Sequence, residues 1–244
     1  MSTAALNVAL VGNPNCGKTA LFNRLTGTRQ KVANYSGVTV ERKEGHFETQ
    51  AGRKVRVLDL PGTYSLEATS PDEEVTRQVC TGSHAEEATP DLIVCVVSAT
   101  NLRLHLRFVL ELLGNGRPMV LALNMMDQAR RRRISVDTEA LSRQLGIPVI
   151  ETIALKNEGV TALRAALDQQ IEVPSSRDFG DLDDQVHRIL DDCVQQPDAL
   201  APWDERLDAW LLHPVAGLLT LAAVMFLMFQ AVYAWAAPLM DGID

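Results

Sequence analysis

Eight residues near the start of the chain, Gly12-Asn13-Pro14-Asn15-Cys16-Gly17-Lys18-Thr19, set two glycines, a lysine and a hydroxyl at the spacing that cradles polyphosphate. The glycine loop lets backbone N–H groups converge on an anion, the Lys18 ammonium neutralises β- and γ-phosphate oxygens, and the Thr19 hydroxyl suits a Mg²⁺ ion. Ala20 follows in the first turn of the helix that this loop opens. A second group, Asp59-Leu60-Pro61-Gly62, offers a carboxylate that would hold Mg²⁺ through water and an N–H, that of Gly62, for a γ-phosphate. Asp, Pro and Gly are also ordinary turn formers, so this group gains its meaning from standing downstream of the phosphate loop. The third group is Asn124-Met125-Met126-Asp127. An aspartate so placed accepts two hydrogen bonds from guanine, whereas adenine lacks that donor pair and would leave the carboxylate unsatisfied. A turn over 152–156, with Ile153, Ala154 and Leu155, would reach the base from the far side.

Each group needs an element to carry it. Leu6 to Val11 reads as a short buried strand entering the phosphate loop, and Ala20 to Leu25 has helical apolar spacing after it. Residues 26–40 carry Gly, Asn, Ser and Thr without a sustained period and read as a loop. Lys43 to Thr49 and Lys54 to Asp59 form a hairpin around Ala51-Gly52. Continuous apolar runs at Leu92–Val97 and Met119–Leu123 are strands buried on both faces, with a leucine-rich helix between them. Helices over 136–145 and 160–171 flank a last strand at Pro148–Ile150. This alternation predicts an α/β fold with a mostly parallel six-stranded sheet and helices on both faces. The candidate residues then gather at the carboxyl ends of the strands, where ligands bind in such sheets.

The formal net charge of −8 argues against nucleic acid as a main partner. Cys16, Cys80, Cys95 and Cys193 are scattered without paired spacing, which fits reduced thiols and neither a disulfide framework nor a zinc site. The first five residues lead straight into a strand and have no signal-peptide pattern. The arginine run Arg130–Arg133 reads as a solvated helix end, since no aromatics are interleaved with it. From Val173 to Trp203 the composition turns polar and acidic around one short helical pattern, Leu182–Val194. Val215–Ala237 then holds 23 residues without a charge. As a helix this run is about 34 Å long, enough for the hydrocarbon core of a bilayer. Trp203, Trp210, Tyr233 and Trp235 stand near its ends like interfacial belts, and Arg206 biases the preceding domain to the cytoplasmic side. The expected organisation is a domain over 1–172, a short helical linker over 173–206, and a membrane-entry segment over 207–244 with a transmembrane helix at about 215–237.

Taken in order, Gly12–Thr19, Val38-Thr39, Asp59–Gly62 and Asn124–Asp127 resemble the motifs of Ras-fold P-loop GTPases. In detail the chain resembles the N-terminal region of the ferrous iron transport protein B family of bacteria. That resemblance rests on Gly12–Thr19, Gly37–Gly45, Asp59–Leu66, Asn124–Asp127 and the Arg206–Pro214 entry into the apolar run. It implies a GTP-binding and GTP-hydrolysing cytoplasmic region whose switching is coupled to a Fe²⁺ permease beyond residue 244, in the bacterial inner membrane. Position by position it implies that Gly37, Val38 and Thr39 form the first switch, with Thr39 a Mg²⁺ ligand beside Thr19 and Asp59. Asn15 matches an asparagine that helps to hold K⁺ beside the phosphates in potassium-stimulated relatives. Catalysis would rest on Lys18, Thr39, Gly62 and Asn15, with GTP or GDP, Mg²⁺ and K⁺ as cofactors. Thr63 stands where many GTPases carry a water-orienting glutamine, which implies slow intrinsic turnover. Implied partners are the permease segment and the lipid bilayer, with small accessory proteins of the uptake system and a second copy of the chain as further candidates. Two departures stand out: Ile153 replaces the family's serine in the guanine-side turn, and the region over 173–203 is much shorter than the family's helical domain. Two other readings stay open at this point: a soluble Era-like GTPase of RNA or ribosome assembly, and a membrane-anchored, non-hydrolysing GTP-responsive scaffold.

Overall fold

The computed structural model describes residues 5–27, 30–35, 38–67, 70–169, 180–195, 207 and 209–231. The chain divides into two compact units, residues 1–196 and 197–244.

The first unit is built on one strand. β1 (Leu6–Gly12) lies between β4 (Lys54–Asp59) and β5 (Leu92–Ser98), parallel to both. β6 (Met119–Asn124) and β8 (Val149–Glu151) extend the sheet in parallel on the β5 side. On the other side β3 (Glu41–Glu48) and then β2 (Gln30–Asn34) add antiparallel. The order is β2-β3-β4-β1-β5-β6-β8. The sheet therefore has seven strands where the sequence predicts six, although most of its pairings are parallel as expected. The additional strand is β2, within the stretch read as a loop. Four of its five residues are exposed, so an apolar period could not have revealed it; its ladder to β3 defines it. A further two-stranded ladder joins β7 (Ser135–Val136) to β9 (Val194–Gln195).

β5 and β6 are buried along their whole length because helices cover both faces. One face packs under α2 (Pro71–Thr81), α3 (Leu102–Gly114), α5 (Thr138–Leu145) and α7 (Leu182–Cys193), through Val75, Val79, Leu106, Val109, Leu141, Leu145, Val186 and Ile189. The other packs under α1 (Lys18–Thr26) and α6 (Val160–Ala166), through Leu21, Phe22, Leu25, Val160 and Leu163. α2 starts where Ser70 caps the Glu73 N–H and proline occupies the first turn, a standard N-terminal arrangement. α4 (Met126–Arg131) is short and leaves β6 through Met125, a left-handed residue.

The sheet's antiparallel side carries a charge network. Arg42 and Glu44 of β3, Arg56 of β4 and Glu87 form a closed set of ion pairs, with Arg42–Glu44 at 2.6 Å, Arg56–Glu44 at 3.0 Å and Arg56–Glu87 at 2.9 Å. Arg42 also contacts Glu87. Hydrogen bonding from Arg56, backed by Arg42, pulls the Glu44 carboxyl down to about 2.

In the second unit α8 (Pro214–Gln230) begins at His213, whose Nδ1 accepts from the Val215 and Ala216 N–H groups. None of its residues is buried, and Leu218, Leu221 and Phe226 are among its exposed apolar side chains. At 17 residues it covers the first part of the expected membrane helix, and residues 232–237 of that expectation lie outside the described residues. Among the described residues no helix is long and apolar enough to cross a membrane.

Candidate functional site

β1 delivers the phosphate loop at the carboxyl edge of the sheet, and its backbone is tightly enclosed. A Cβ on Gly12 would strike the Val96 carbonyl of β5, and one on Gly17 would strike the Asn124 amide. Gly17, at φ 85°, opens α1 in the left-handed region that only glycine adopts without strain, and Asn15 shares that region at φ 63°. α1 has neither a capping side chain nor an acidic residue in its first turn. Its leading N–H groups are thus free to bind an anion, reinforced by the helix dipole. Within the loop Asn15 and Thr19 are exposed, while Asn13 is buried with neither amide atom bonded among the described residues. Cys16 is fully buried, and burial pushes its thiol up to about 11, so the sulfur stays protonated. Its part in the site is its carbonyl.

Lys18 and Asp59 meet in an ion pair beside this loop, with side chains 11% and 5% exposed. Burial raises the Asp59 carboxyl despite the Lys18 charge. A buried ammonium and carboxylate held together fit a polyphosphate with its divalent cation: the phosphate matches Lys18 and the cation matches Asp59. The segment after Asp59 runs along the loop. Leu60 N–H donates to the Leu10 carbonyl (3.0 Å) and Thr63 N–H to the Gly12 carbonyl (3.3 Å). Pro61 receives the Thr76 hydroxyl, and Gly62 sits so close that a Cβ there would lie 3.3 Å from the Pro14 nitrogen. Gly62 therefore lies against the phosphate loop. Thr63 turns inward: it is 1% exposed, and its hydroxyl donates to the Ser65 carbonyl at 2.7 Å. Val38 and Thr39 are exposed, Thr39 makes no hydrogen bond among the described residues, and Gly37 lies outside them. The structure thus brings Lys18 and Asp59 into contact and sets Gly62 against Pro14 of the phosphate loop.

The base-side cleft forms where β6 and β8 end. Asn124, 3% exposed, donates from Nδ2 to the Cys16 carbonyl at 2.9 Å. Its Oδ1 accepts from the Ala154 N–H (3.1 Å) and the Thr152 hydroxyl (3.2 Å). One side chain therefore fixes the phosphate loop and the far turn at a set spacing. Met125 packs its sulfur against the Ser98 hydroxyl, Met126 is buried, and Asp127 opens into the cleft with Gly17, Ala20, Ala154 and Leu155. Lys156 approaches the Asp127 carboxylate at 3.6 Å. Ile153 is buried and pairs through its backbone with Glu158, while Leu155 is 75% exposed. The substitution by isoleucine is thus met by core packing, and the neighbouring Thr152 hydroxyl is the one that bonds Asn124. Sequence reasoning missed Arg24, whose guanidinium bonds the Ala154 and Leu155 carbonyls at 3.1 and 2.8 Å. It also missed Glu111, which receives the Ser65 hydroxyl and the Leu66 N–H. Both lie on helices with no local motif, so no sequence signal marks them.

Comparison with known proteins bears on the same residues. The family model described as ferrous iron transport protein B matches residues 6–167. The Fe(2+) transporter FeoB of Salmonella typhimurium is 44% identical over 164 residues, covering 67% of this chain and 21% of the relative. The chain thus spans about a fifth of the length of the curated relatives it matches. Among solved structures, the cytosolic domain of L. pneumophila FeoB superposes with a TM-score of 0.69 at 34% identity, covering 78% of this chain and all of that one. The cytosolic domain of the T. maritima FeoB iron transporter in its GDP form gives 0.64 at 37% identity, covering 70% and 66%.

Proposed function

The chain belongs to the ferrous iron transport protein B family, and from that premise we propose that it is the GTP-binding and GTP-hydrolysing cytoplasmic region of a Fe²⁺ transporter. The observation that carries this reading is the Asn124 side chain bonded at once to Cys16 and Ala154. It ties the loop that carries Lys18 to the turn that lines a cleft with Asp127, which supports a ligand that joins a polyphosphate to a purine. Asp127 reads guanine by accepting from its N1–H and amino group, and Ala154 and Leu155 close the base from the far side. Gly12, Asn13, Pro14, Asn15, Cys16, Gly17 and Ala20 line the phosphates, and Lys18 neutralises the β- and γ-oxygens.

Hydrolysis forms a bond from water oxygen to the γ-phosphorus and breaks the bond to the β-bridging oxygen, giving GDP and phosphate. Thr19, Thr39 and Asp59 would hold Mg²⁺ and Asn15 would hold K⁺, and bound there these ions would supply positive charge to offset the negative charge that develops on the phosphates. Gly62 orients the γ-phosphate through its N–H. Thr39 is the first-switch ligand of that Mg²⁺ site in this reading. Turnover without stimulation is slow, because Thr63 is buried and bonded to Ser65 and so presents no side chain to water.

In the same reading residues 1–172 are the GTPase domain, 173–206 an abbreviated regulatory linker, and 207–244 the membrane entry, with the span completed over 215–237. The exposed apolar side chains of α8 support that last assignment. The partners are the permease segment of the same transporter and the lipid bilayer, with accessory proteins or a second copy of the chain beside them. The cytoplasmic face of the inner membrane is the location. Phosphate release from GTP, measured in K⁺ and in Na⁺ for the unsubstituted chain, Lys18→Ala and Asn15→Ala, tests the reading. Hydrolysis that is faster in K⁺, lost in Lys18→Ala and insensitive to the cation in Asn15→Ala supports it. Binding of GTP without any turnover would instead favour a non-hydrolysing scaffold.

A further inference from the structure

We infer that Glu111 is a positioning residue for the hydrolytic switch and, through Arg107, links that switch to α7; this rests on the GTPase reading above. Ser65 and Leu66 lie two to four residues past Gly62 and Thr63 in the same segment that lines the phosphate loop. Both are fastened to one carboxylate oxygen of Glu111, whose Oε2 accepts from the Ser65 hydroxyl at 2.9 Å and from the Leu66 N–H at 2.7 Å. The Glu111 side chain is only 12% exposed, so these charge-assisted bonds are sheltered from water. Upstream, Thr63 N–H holds the segment to Gly12. The segment is thus pinned at one end to the phosphate loop and at the other to α3.

The second Glu111 oxygen faces along α3. Arg107, one turn earlier, donates to Oε1 at 3.4 Å and reaches across to Asp183 at 3.2 Å, in the first turn of α7. A movement of Leu66 in the switch is therefore felt by the Glu111 carboxylate and by the guanidinium that joins α3 to α7. Exposed ion pairs are weak alone, so the strong part of the chain is Glu111 and the readable part is α7.

The two oxygens make the test selective. Glu111→Gln keeps a carbonyl oxygen able to accept both switch bonds, but places an amide N–H₂ group toward Arg107. Glu111→Ala removes both links. The expected result for the 244-residue chain in detergent is a fall in the GTP hydrolysis rate of about tenfold in Glu111→Ala, with the affinity for a fluorescent GDP analogue unchanged. Glu111→Gln keeps hydrolysis near that of the unsubstituted chain. Hydrogen exchange at the Leu66 amide accelerates in Glu111→Ala only. The difference in exchange over 182–193 between GDP and a non-hydrolysable GTP analogue disappears in Glu111→Ala, Glu111→Gln and Arg107→Ala. Equal hydrolysis by Glu111→Ala and the unsubstituted chain overturns the positioning role, as does equal loss in the Ala and Gln variants. A nucleotide-dependent exchange difference that persists in Arg107→Ala overturns the link to α7. Failure of the GTPase reading shows differently, as no hydrolysis by the unsubstituted chain itself.

Discussion

Asn124 and Cys16 are 108 residues apart in sequence and joined by a 2.9 Å hydrogen bond from a buried amide to a backbone carbonyl. Because the same amide's oxygen accepts from Ala154 and Thr152, three segments depend on one side chain. Asn124→Ala leaves the Cys16 carbonyl and the Ala154 N–H without this partner in a buried place, each costing about 1–3 kcal/mol if water does not enter, while the Thr152 hydroxyl keeps its 3.4 Å bond to the Leu123 carbonyl. The expected outcome is a chain roughly 3 kcal/mol less stable in urea denaturation, with affinity for a fluorescent GDP analogue reduced on the order of 100-fold. Unchanged affinity with lowered stability would reduce Asn124 to a packing residue.

Base choice is tested at Asp127. Its carboxylate stands at the start of α4 and faces the cleft, with Lys156 at 3.6 Å as its nearest cation. If Asp127 reads the base, Asp127→Ala deletes two charge-assisted hydrogen bonds to guanine and none to adenine. Guanine nucleotide affinity should fall by about 100-fold or more while adenine nucleotide affinity stays at its low level. Competition of GDP and ADP against a fluorescent nucleotide measures both. A parallel loss for the two bases would show that Asp127 supports the cleft without reading the base.

Much of this arrangement is legible in the chain because its parts are local. Gly12–Thr19 is a contiguous loop between a strand and a helix, and β5 and β6 announce themselves as apolar runs buried on both faces. β2 was hidden because a strand defined by backbone pairing at an exposed edge has no apolar face to create a period. Arg24 and Glu111 were hidden, as was the bond that Thr152 makes from within the 152–156 turn, because their partners lie 130, 45 and 28 residues away and no spacing rule connects them. Thr63 marks the boundary between the two cases. The sequence locates it beside Gly62, but only the fold shows that its hydroxyl turns toward Ser65.

Acid should weaken the fold in two stages. His105 is buried, its Nδ1 accepts from the Ser98 N–H, and burial lowers its pKa from 6.5 to about 4. Glu44, bonded by Arg56 and Arg42, is lowered from 4.5 to about 2. Both folded values lie below the unfolded ones, so in each window the unfolded chain binds more protons and stability falls as pH falls. The His105 contribution is lost between about 6.5 and 4, and that of Glu44 between about 4.5 and 2, each on the order of 2 kcal/mol. Urea midpoints at pH 7.5, 5.5 and 4.5 should decline, and the decline should flatten in a His105→Gln variant. A midpoint constant down to pH 4.5 would show that His105 takes up its proton over the same pH range in both states, so that burial does not hold it neutral.

Restoring a glutamine at position 63 should not restore fast hydrolysis. Thr63 is 1% exposed, donates to the Ser65 carbonyl at 2.7 Å and accepts the Ser65 N–H at 3.3 Å, a compact local turn that holds the switch segment beside the phosphate loop. A glutamine there has two further heavy atoms to place and cannot form the same turn. It must either crowd the core, at about 1–3 kcal/mol, or swing out and carry Gly62 with it. Thr63→Gln is therefore expected to lower the thermal midpoint and to leave GTP turnover unchanged or slower. A tenfold faster rate at an unchanged midpoint would mean that the segment turns over freely enough to present residue 63 to water, and that the Ser65 turn does not hold it.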